Sequence, residues 1–253
     1  GYIVDAARDL LLENKKLMDL VNLDEQKDIS ECLNSKYQDE YFYDRDGSDQ
    51  LRLASMIKES LLLEKFSGNS GSILDVGCGT GEFYDCFTWD GPIFGVEVSA
   101  SARKAAESRG VQTYEKIPSG YQLFDVIILR GTIQHLPEPF GALQKLSKLL
   151  KDDGKIFFLA TPNADSIIYK IWGDLPALDK ERNFYIPSIS SLKSAMQNLG
   201  FAVVYSELPY WNSPYSQPMS DFVKFVLKLA FINVGNFAFP GNMMNVIFEK
   251  HFR

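Results

Sequence analysis

Residues Ile73 to Phe83 read ILDVGCGTGEF. An apolar run leads into glycines at alternate positions, Gly77, Gly79 and Gly81, and a helix is expected over 81–87. Glycines at such a turn let the backbone bend tightly and come close to a ligand. Amides at a helix start add a positive end. Glu97 closes the next apolar run, 20 residues beyond Gly77, where a carboxylate can accept hydrogen bonds from ribose hydroxyls. Asp75, just ahead of the loop, would repel a pyrophosphate and attract an ammonium. The G-x-G-x-G spacing also departs from the G-x-G-x-x-G of dinucleotide sites. The ligand best matched to these residues is a nucleoside with a cationic amino-acid arm.

The elements that must hold this loop follow from the hydrophobic pattern. Residues 5–21 and 50–66 carry helical patterns, separated by a polar and aromatic loop over 37–50. From Gly71 short β-rich runs alternate with helical ones. Strands are expected at 72–77, 92–98, 111–115, 124–130, 155–161, 201–207 and 245–251. Helices are expected at 100–109, 139–150, 167–172 and 190–199. The run FDVIILR at 124–130 is apolar enough to be buried on both faces. This alternation predicts an α/β fold with a doubly wound sheet. Two stretches, about 162–188 and 208–243, interrupt it, and connections this long in a compact domain are usually functional. The predicted organisation is a helical N-terminal extension over 1–70 and a core over 71–253 that carries both inserts.

Composition narrows the class. The chain has 253 residues, 45% of them hydrophobic and 13% aromatic, enough for one sizeable domain with aromatic-lined surfaces. The formal net charge of -7 argues against nucleic acid, whose binders rely on basic faces. Cys32, Cys78 and Cys86 are sparse and irregularly spaced, which predicts reduced thiols. With only His135 and His251 to join them, no metal site is expected. No signal peptide and no apolar run of spanning length is seen, so the expected compartment is the cytoplasm and no transmembrane segment is expected.

Taken in order, the motifs resemble those of class I S-adenosylmethionine (SAM)-dependent methyltransferases over residues 71–207. DVGCGTG at 75–81 resembles the family's glycine-rich motif. Glu97 in GVEVS falls at its ribose-binding acid, and FDVIILRGTIQHLPEP at 124–139 resembles the strand ending beside the methionine part of SAM. LLKDDGKIFFLATPN resembles the next helix, turn and strand, with Asp153-Gly154 in place of Gly-Gly, and SISSLKSAMQNLGFAVV resembles the helix and strand near the C-terminus. After the third strand the chain departs from the family, with YEKIPSG at 114–120 where an acid and a small residue often flank the adenine.

The resemblance implies a seven-stranded Rossmann-like sheet of order 3-2-1-4-5-7-6 with the seventh strand antiparallel. It implies SAM as cofactor and S-adenosylhomocysteine as product. The implied cofactor-binding residues are Asp75, Gly77, Cys78, Gly79, Thr80, Gly81, Glu97, Val98, Arg130 and Gly131. Arg130 could hold the SAM carboxylate, reach the acceptor or face solvent, and Arg52 is an alternative for that carboxylate.

Methyl transfer from a sulfonium needs alignment and, for a hydroxyl acceptor, a base. His135, five residues past the 124–130 strand at the sheet's carboxyl edge, is the candidate catalytic residue. A capping or packing role fits the same position.

The acceptor is expected to be a small molecule. By analogy with stand-alone methyltransferases of bacterial polysaccharide and secondary-metabolite pathways, it is a hydroxyl of a sugar or sugar nucleotide. N- or C-methylation, a quinone-type acceptor and a non-catalytic SAM-binding subunit stay open. Aromatics in the segments 37–43, 172–185 and 208–242 are candidates to line that acceptor, or to pack the inserts. The helix expected at 221–231 offers a dimer face, a lid or a membrane-surface contact, so a homodimer stays open too.

Overall fold

The computed structural model describes residues 50–121, 123–175, 182–211, 213 and 215–251. The expected helix at 5–21, the 37–49 loop and Cys32 lie outside these residues.

Helix α1 (Gln50–Ser67) leads into β1 (Ile73–Val76) and a 3₁₀ segment, Glu82–Cys86. Then come β2 (Ile93–Val96), α2 (Ala100–Ser108), β3 (Gln112–Tyr114) and β4 (Phe124–Arg130). A second 3₁₀ turn, Ile133–His135, precedes α3 (Pro139–Leu149) and β5 (Leu150–Pro162). The chain continues through α4 (Ile167–Trp172), α5 (Ile189–Asn198), β6 (Phe201–Glu207), α6 (Pro218–Leu229) and β7 (Met243–Lys250).

The seven strands form one sheet of order β3-β2-β1-β4-β5-β7-β6. All pairs are parallel except the two made by β7. This is the class I methyltransferase order. Side chains alternate across each strand, so one run feeds two cores. Ile127, Leu129 and Phe158 pack with Leu143, Leu146 and Leu149 of α3 and Met196 of α5 on one face. Val126, Ile128 and Phe157 pack with Met56 and Leu63 of α1 and Ala106 of α2 on the other. Covering both faces is what makes β1 and β4 near-continuous apolar runs.

Two expectations need correction. The helix over 81–87 is a five-residue 3₁₀ segment. Its N-cap, Gly81, stands at φ 80 and makes no side-chain cap. Phe83, Tyr84, Phe87 and Trp89 then pack on one another, which fixes a tight turn in place of a longer helix. The strand expected at 155–161 begins at Leu150, directly after α3. Leu150 already pairs with Phe124, and the register then shifts to Lys155 opposite Val126, with Asp153 at φ 60 inside the irregularity.

The topology also places the second insert. Since β7 is antiparallel to β5, and β6 to β7, β6 runs parallel to β5. Its last residue, Glu207, therefore lies at the same sheet edge as the ends of β1, β2 and β4. The connection from 208 to 242 starts and finishes at that edge.

Candidate active site

The glycine loop leaves β1 at this carboxyl edge. Gly77, Gly79 and Gly81 have φ of 79°, 55° and 80°, all in the left-handed region that L side chains rarely adopt. Gly77 is also pressed against the end of β4: a Cβ there would stand 2.5 Å from Thr132 Oγ1. The amides of Gly77 and Cys78 donate to Val96 O, at 2.7 and 3.2 Å, which ties the loop to β2.

Two buried acids flank the loop. Glu97 accepts from Gly79 N at 3.1 Å through Oε2 and from Ser99 N at 2.9 Å through Oε1. Burial holds its carboxyl above the usual range, and the hydrogen bonds from the Ser99 and Gly79 amides pull it back. Each oxygen keeps a lone pair, so both could still accept from a ribose hydroxyl.

Asp75 is 2% exposed. Its Oδ2 accepts from Tyr84 Oη at 3.1 Å, and its Oδ1 is buried without a partner. Burial pushes its pKa up to about 7, against the Tyr84 hydrogen bond and the Arg130 charge, which lower it. A half-satisfied buried carboxylate is costly. A cationic ammonium is the kind of ligand group that would remove the cost. The residues thus fit SAM on an observation of the site itself.

Arg130, at the end of β4, donates from Nε to Glu59 Oε2 at 2.6 Å and lies over the Phe83 ring, 5.8 Å from its centroid. Glu59 is 2% exposed and also accepts from Ser55 Oγ at 2.8 Å. The pair holds α1 to the site across 71 positions of sequence. Removing Glu59 would leave the guanidinium without its buried partner. Glu59→Ala is expected to cost roughly 2–3 kcal/mol in urea denaturation, somewhat below a fully buried pair because Arg130 keeps some solvent contact. Arg52 pairs with Glu82 at 2.9 Å.

The Cys78 side chain points away from the ligand edge. It is 8% exposed, and a Cβ on Gly95 would come within 2.4 Å of its Sγ. Burial raises its thiol far above the usual range, so it is no nucleophile. Thr80 O accepts from Arg109 Nη1 at 3.0 Å, and Val98 O accepts from Arg103 Nη1 at 2.8 Å. Gly131, at φ 59, donates its amide to Leu159 O at 2.8 Å.

His135 follows β4 in the short 3₁₀ turn. Its Nδ1 lies 3.0 Å from Arg182 O, an acceptor only, so the proton is assigned to Nδ1. Its Nε2 then accepts from Gln134 Nε2 at 3.2 Å. His135 thereby ties the first insert to the sheet edge, as does the bond from Phe184 N to Gln134 O, 3.0 Å.

Glu59, Tyr84, Thr132 and Gln134 are the site residues that sequence reasoning passes over. Only Thr132 and Gln134, inside the motif after β4, carried any signal. Among the described residues no three His, Cys, Asp or Glu side chains gather as a metal ligand set.

The family described as methyltransferase domain matches residues 48–206, more than half of the chain. The chain belongs to this family. Among curated proteins it is similar to the ubiquinone biosynthesis O-methyltransferase of Actinobacillus pleuropneumoniae, 29% identical over 135 residues, covering 46% of this chain and 58% of that protein. The protein of the same name from Vibrio cholerae is 25% identical over 131 residues, covering 46% of this chain and 54% of its own. The chain thus spans little more than half the length of these relatives. Among solved structures, a SAM-dependent methyltransferase from Archaeoglobus fulgidus has a TM-score of 0.57 at 20% identity, covering 84% of this chain and 100% of that one. One from Methanosarcina mazei has 0.52 at 14%, covering 76% and 98%. At these identities the structures establish the fold, which is that of SAM-dependent methyltransferases.

Proposed function

We propose that the chain moves the methyl group of SAM to a hydroxyl of a small, partly apolar acceptor. The observation that carries this is Asp75, a buried carboxylate with one oxygen unpartnered, set behind three left-handed glycines.

When bound, SAM would supply an activated methyl on a sulfonium, the C–S bond breaking as the O–C bond forms and neutral S-adenosylhomocysteine being released. The protein's own residues align and deprotonate. Asp75 faces the ammonium charge, and Glu97 accepts from the ribose. Gly77, Gly79 and Gly81 let the loop close on the nucleoside, with the backbone of Cys78 and Thr80 between them. Val98 and Gly131, just past the ends of β2 and β4, would border the cofactor. Arg130 keeps Nη donors for the SAM carboxylate while Glu59 fixes its direction. His135 takes the hydroxyl proton on Nε2 once the acceptor hydroxyl displaces Gln134 Nε2 from that lone pair, with Nδ1–H held by Arg182 O.

The relatives' names favour a hydroxyl of a ubiquinone-biosynthesis intermediate over the sugar expected from sequence. An acceptor screen under saturating SAM, with catechol-type quinone precursors in one arm and nucleotide sugars in the other, tests this. Methyl ether formation in the first arm is the expected result. Turnover only on nucleotide sugars would restore the sugar, and methylation at nitrogen or carbon would overturn the hydroxyl.

The base has its own test. His135→Ala is expected to lower kcat at least 100-fold, in line with general-base roles, and to leave the SAM Kd within about twofold. A variant that loses thermal stability and rate together, with kcat recovered on cooling, would make His135 an anchor of residues 182–188 and no base.

A further inference from the structure

A buried carboxamide beside His135 is only half satisfied. Gln134 is 5% exposed. Its Nε2 donates to Gly131 O at 2.8 Å and lies 3.2 Å from His135 Nε2, so both N–H groups are in use. Its Oε1 is buried with no hydrogen-bond partner. Swapping the two ends of the amide does not help. The oxygen would then stand 2.8 Å from the Gly131 carbonyl, which can only accept. The orientation is therefore fixed, with the nitrogen on the protein's own acceptors and the oxygen left over.

The same junction holds a second unpaired amide. The first insert meets the sheet edge through two bonds: His135 Nδ1 donates to Arg182 O, and Phe184 N donates to Gln134 O, each at 3.0 Å. Asn183 sits between these tethers in the chain, and its Oδ1 and Nδ2 are both buried without a partner. Buried polar side chains nearly always find partners, so each exception asks for a cause. Among the described residues five such side-chain atoms occur, and three of them belong to this junction. A fourth is Asp75 Oδ1, at the cofactor loop. Unpaired polar atoms thus concentrate where the proposed reaction needs ligand groups.

We propose that Gln134 selects the acceptor: its Oε1 accepts a hydrogen bond from a second O–H or N–H, carried next to the hydroxyl that is methylated. This rests on the reading of His135 as the base. Oε1 and Nε2 share one carbon through bonds of about 1.23 and 1.33 Å, so Oε1 lies within roughly 6 Å of His135 Nε2. Two hydrogen bonds of about 2.8 Å, ending on heteroatoms of neighbouring carbons, span that distance. An entering hydroxyl takes the His135 lone pair, and the Gln134 N–H that it displaces can donate to the oxygen of the same hydroxyl. The carboxamide then holds both groups, its nitrogen on the oxygen to be methylated and its oxygen on the neighbour. Only a donor satisfies Oε1. An ether, a methyl or a hydrogen at the second position leaves it buried and unpaired, and a site built to bond a hydroxyl rejects the analogue lacking it strongly. The acceptor class is a vicinal diol or the matching amino alcohol, which a dihydroxy aromatic ring and a sugar ring can both supply. The same rule stops the reaction after one methyl, because the product carries an ether where a donor is required.

The test is calorimetric titration of acceptors into the 253-residue chain with S-adenosylhomocysteine in excess, so that no turnover intervenes. The probes are pyrocatechol against phenol, and UDP-glucose against UDP-2-deoxyglucose. In at least one pair the diol is expected to bind at least about tenfold tighter, and the pair that responds tells an aromatic from a sugar source. Gln134→Met should bring that ratio to within about twofold, since a thioether accepts hydrogen bonds only weakly. A merely structural role would weaken both members of a pair alike and leave the ratio unchanged. A ratio near one in both pairs for the wild type, or a ratio that survives in Gln134→Met, would overturn the proposal. The wild-type comparison decides by itself if the variant fails to fold, which its thermal melt shows. Where a diol turns over with SAM, the product should stop at the monomethyl ether, and a dimethyl ether formed at a comparable rate would also overturn it. The readings beneath are judged apart, the cofactor site by S-adenosylhomocysteine binding and the base by the kcat of His135→Ala.

Discussion

Gly79→Asp is expected to abolish SAM binding, weakening the Kd more than 100-fold, about 2.7 kcal/mol. Three effects act together. Gly79 has φ 55, so any side chain strains the backbone. Its amide is bonded to Glu97 Oε2 at 3.1 Å, so the new carboxylate arrives beside a buried acid. Burial already holds that acid above its usual range, which makes a second charge there expensive. Gly79→Ala carries the strain without the charge and should lose far less. Calorimetric titration of both variants, with circular dichroism to confirm folding, checks the ranking. Micromolar SAM binding by the Asp variant would remove the loop from the cofactor site.

The second large effect is in pH. Asp75 has its pKa pushed up to about 7 by burial, against an ordinary 3.8. Between these values the folded protein holds a proton that the unfolded chain has released. Stability of the ligand-free protein therefore falls as pH rises from about 4 to about 7, by at most about 4 kcal/mol, and is flat beyond. An ammonium ligand needs the ionised form. SAM binding should expel a proton below pH 7, with affinity rising up to tenfold per pH unit and levelling off near neutrality. Glu97 is also held high by burial, and a ribose hydroxyl donating to its ionised form adds a trend of the same sign. Asp75→Asn separates the two. It should flatten most of the pH dependence, raise the ligand-free melting temperature at pH 8, and weaken SAM binding there by about 10- to 100-fold. Titrations in buffers of different ionisation enthalpy from pH 5.5 to 8.5 count the proton directly. Proton uptake on binding, or an affinity that falls with pH, would put the ammonium elsewhere.

Much of this was legible because it is local. The bounds of β4, α4 and β6 follow from apolar periodicity and flanking turn residues, and they stand where the pattern puts them. Gly77, Gly79 and Gly81 announce left-handed backbone by residue type, and all three adopt it. The strand order came from the resemblance, since periodicity alone cannot pair β7 between β5 and β6.

What escaped is long-range. Glu59 looks like any charged residue of an amphipathic helix until the fold sets it against Arg130. The Cys78 side chain lies in the ligand loop by sequence, yet it packs beneath Gly95 of β2. The pattern finds α6 and offers its apolar residues as an outward face, but it does not show that Phe225 turns inward. Which face is covered depends on Trp172, Phe237 and Phe239, brought in from both sides of the helix in sequence. The 81–87 helix shortened for a similar reason, through ring packing that no propensity encodes.

The loop, Asp75 and Glu97 are proposed to form a SAM site. Its most direct test is calorimetric titration at pH 8 with SAM, S-adenosylhomocysteine and NADH in turn. Micromolar, one-to-one binding of SAM and S-adenosylhomocysteine and none of NADH is the expected result. Binding of neither sulfur compound, or of NADH more tightly than SAM, would contradict it.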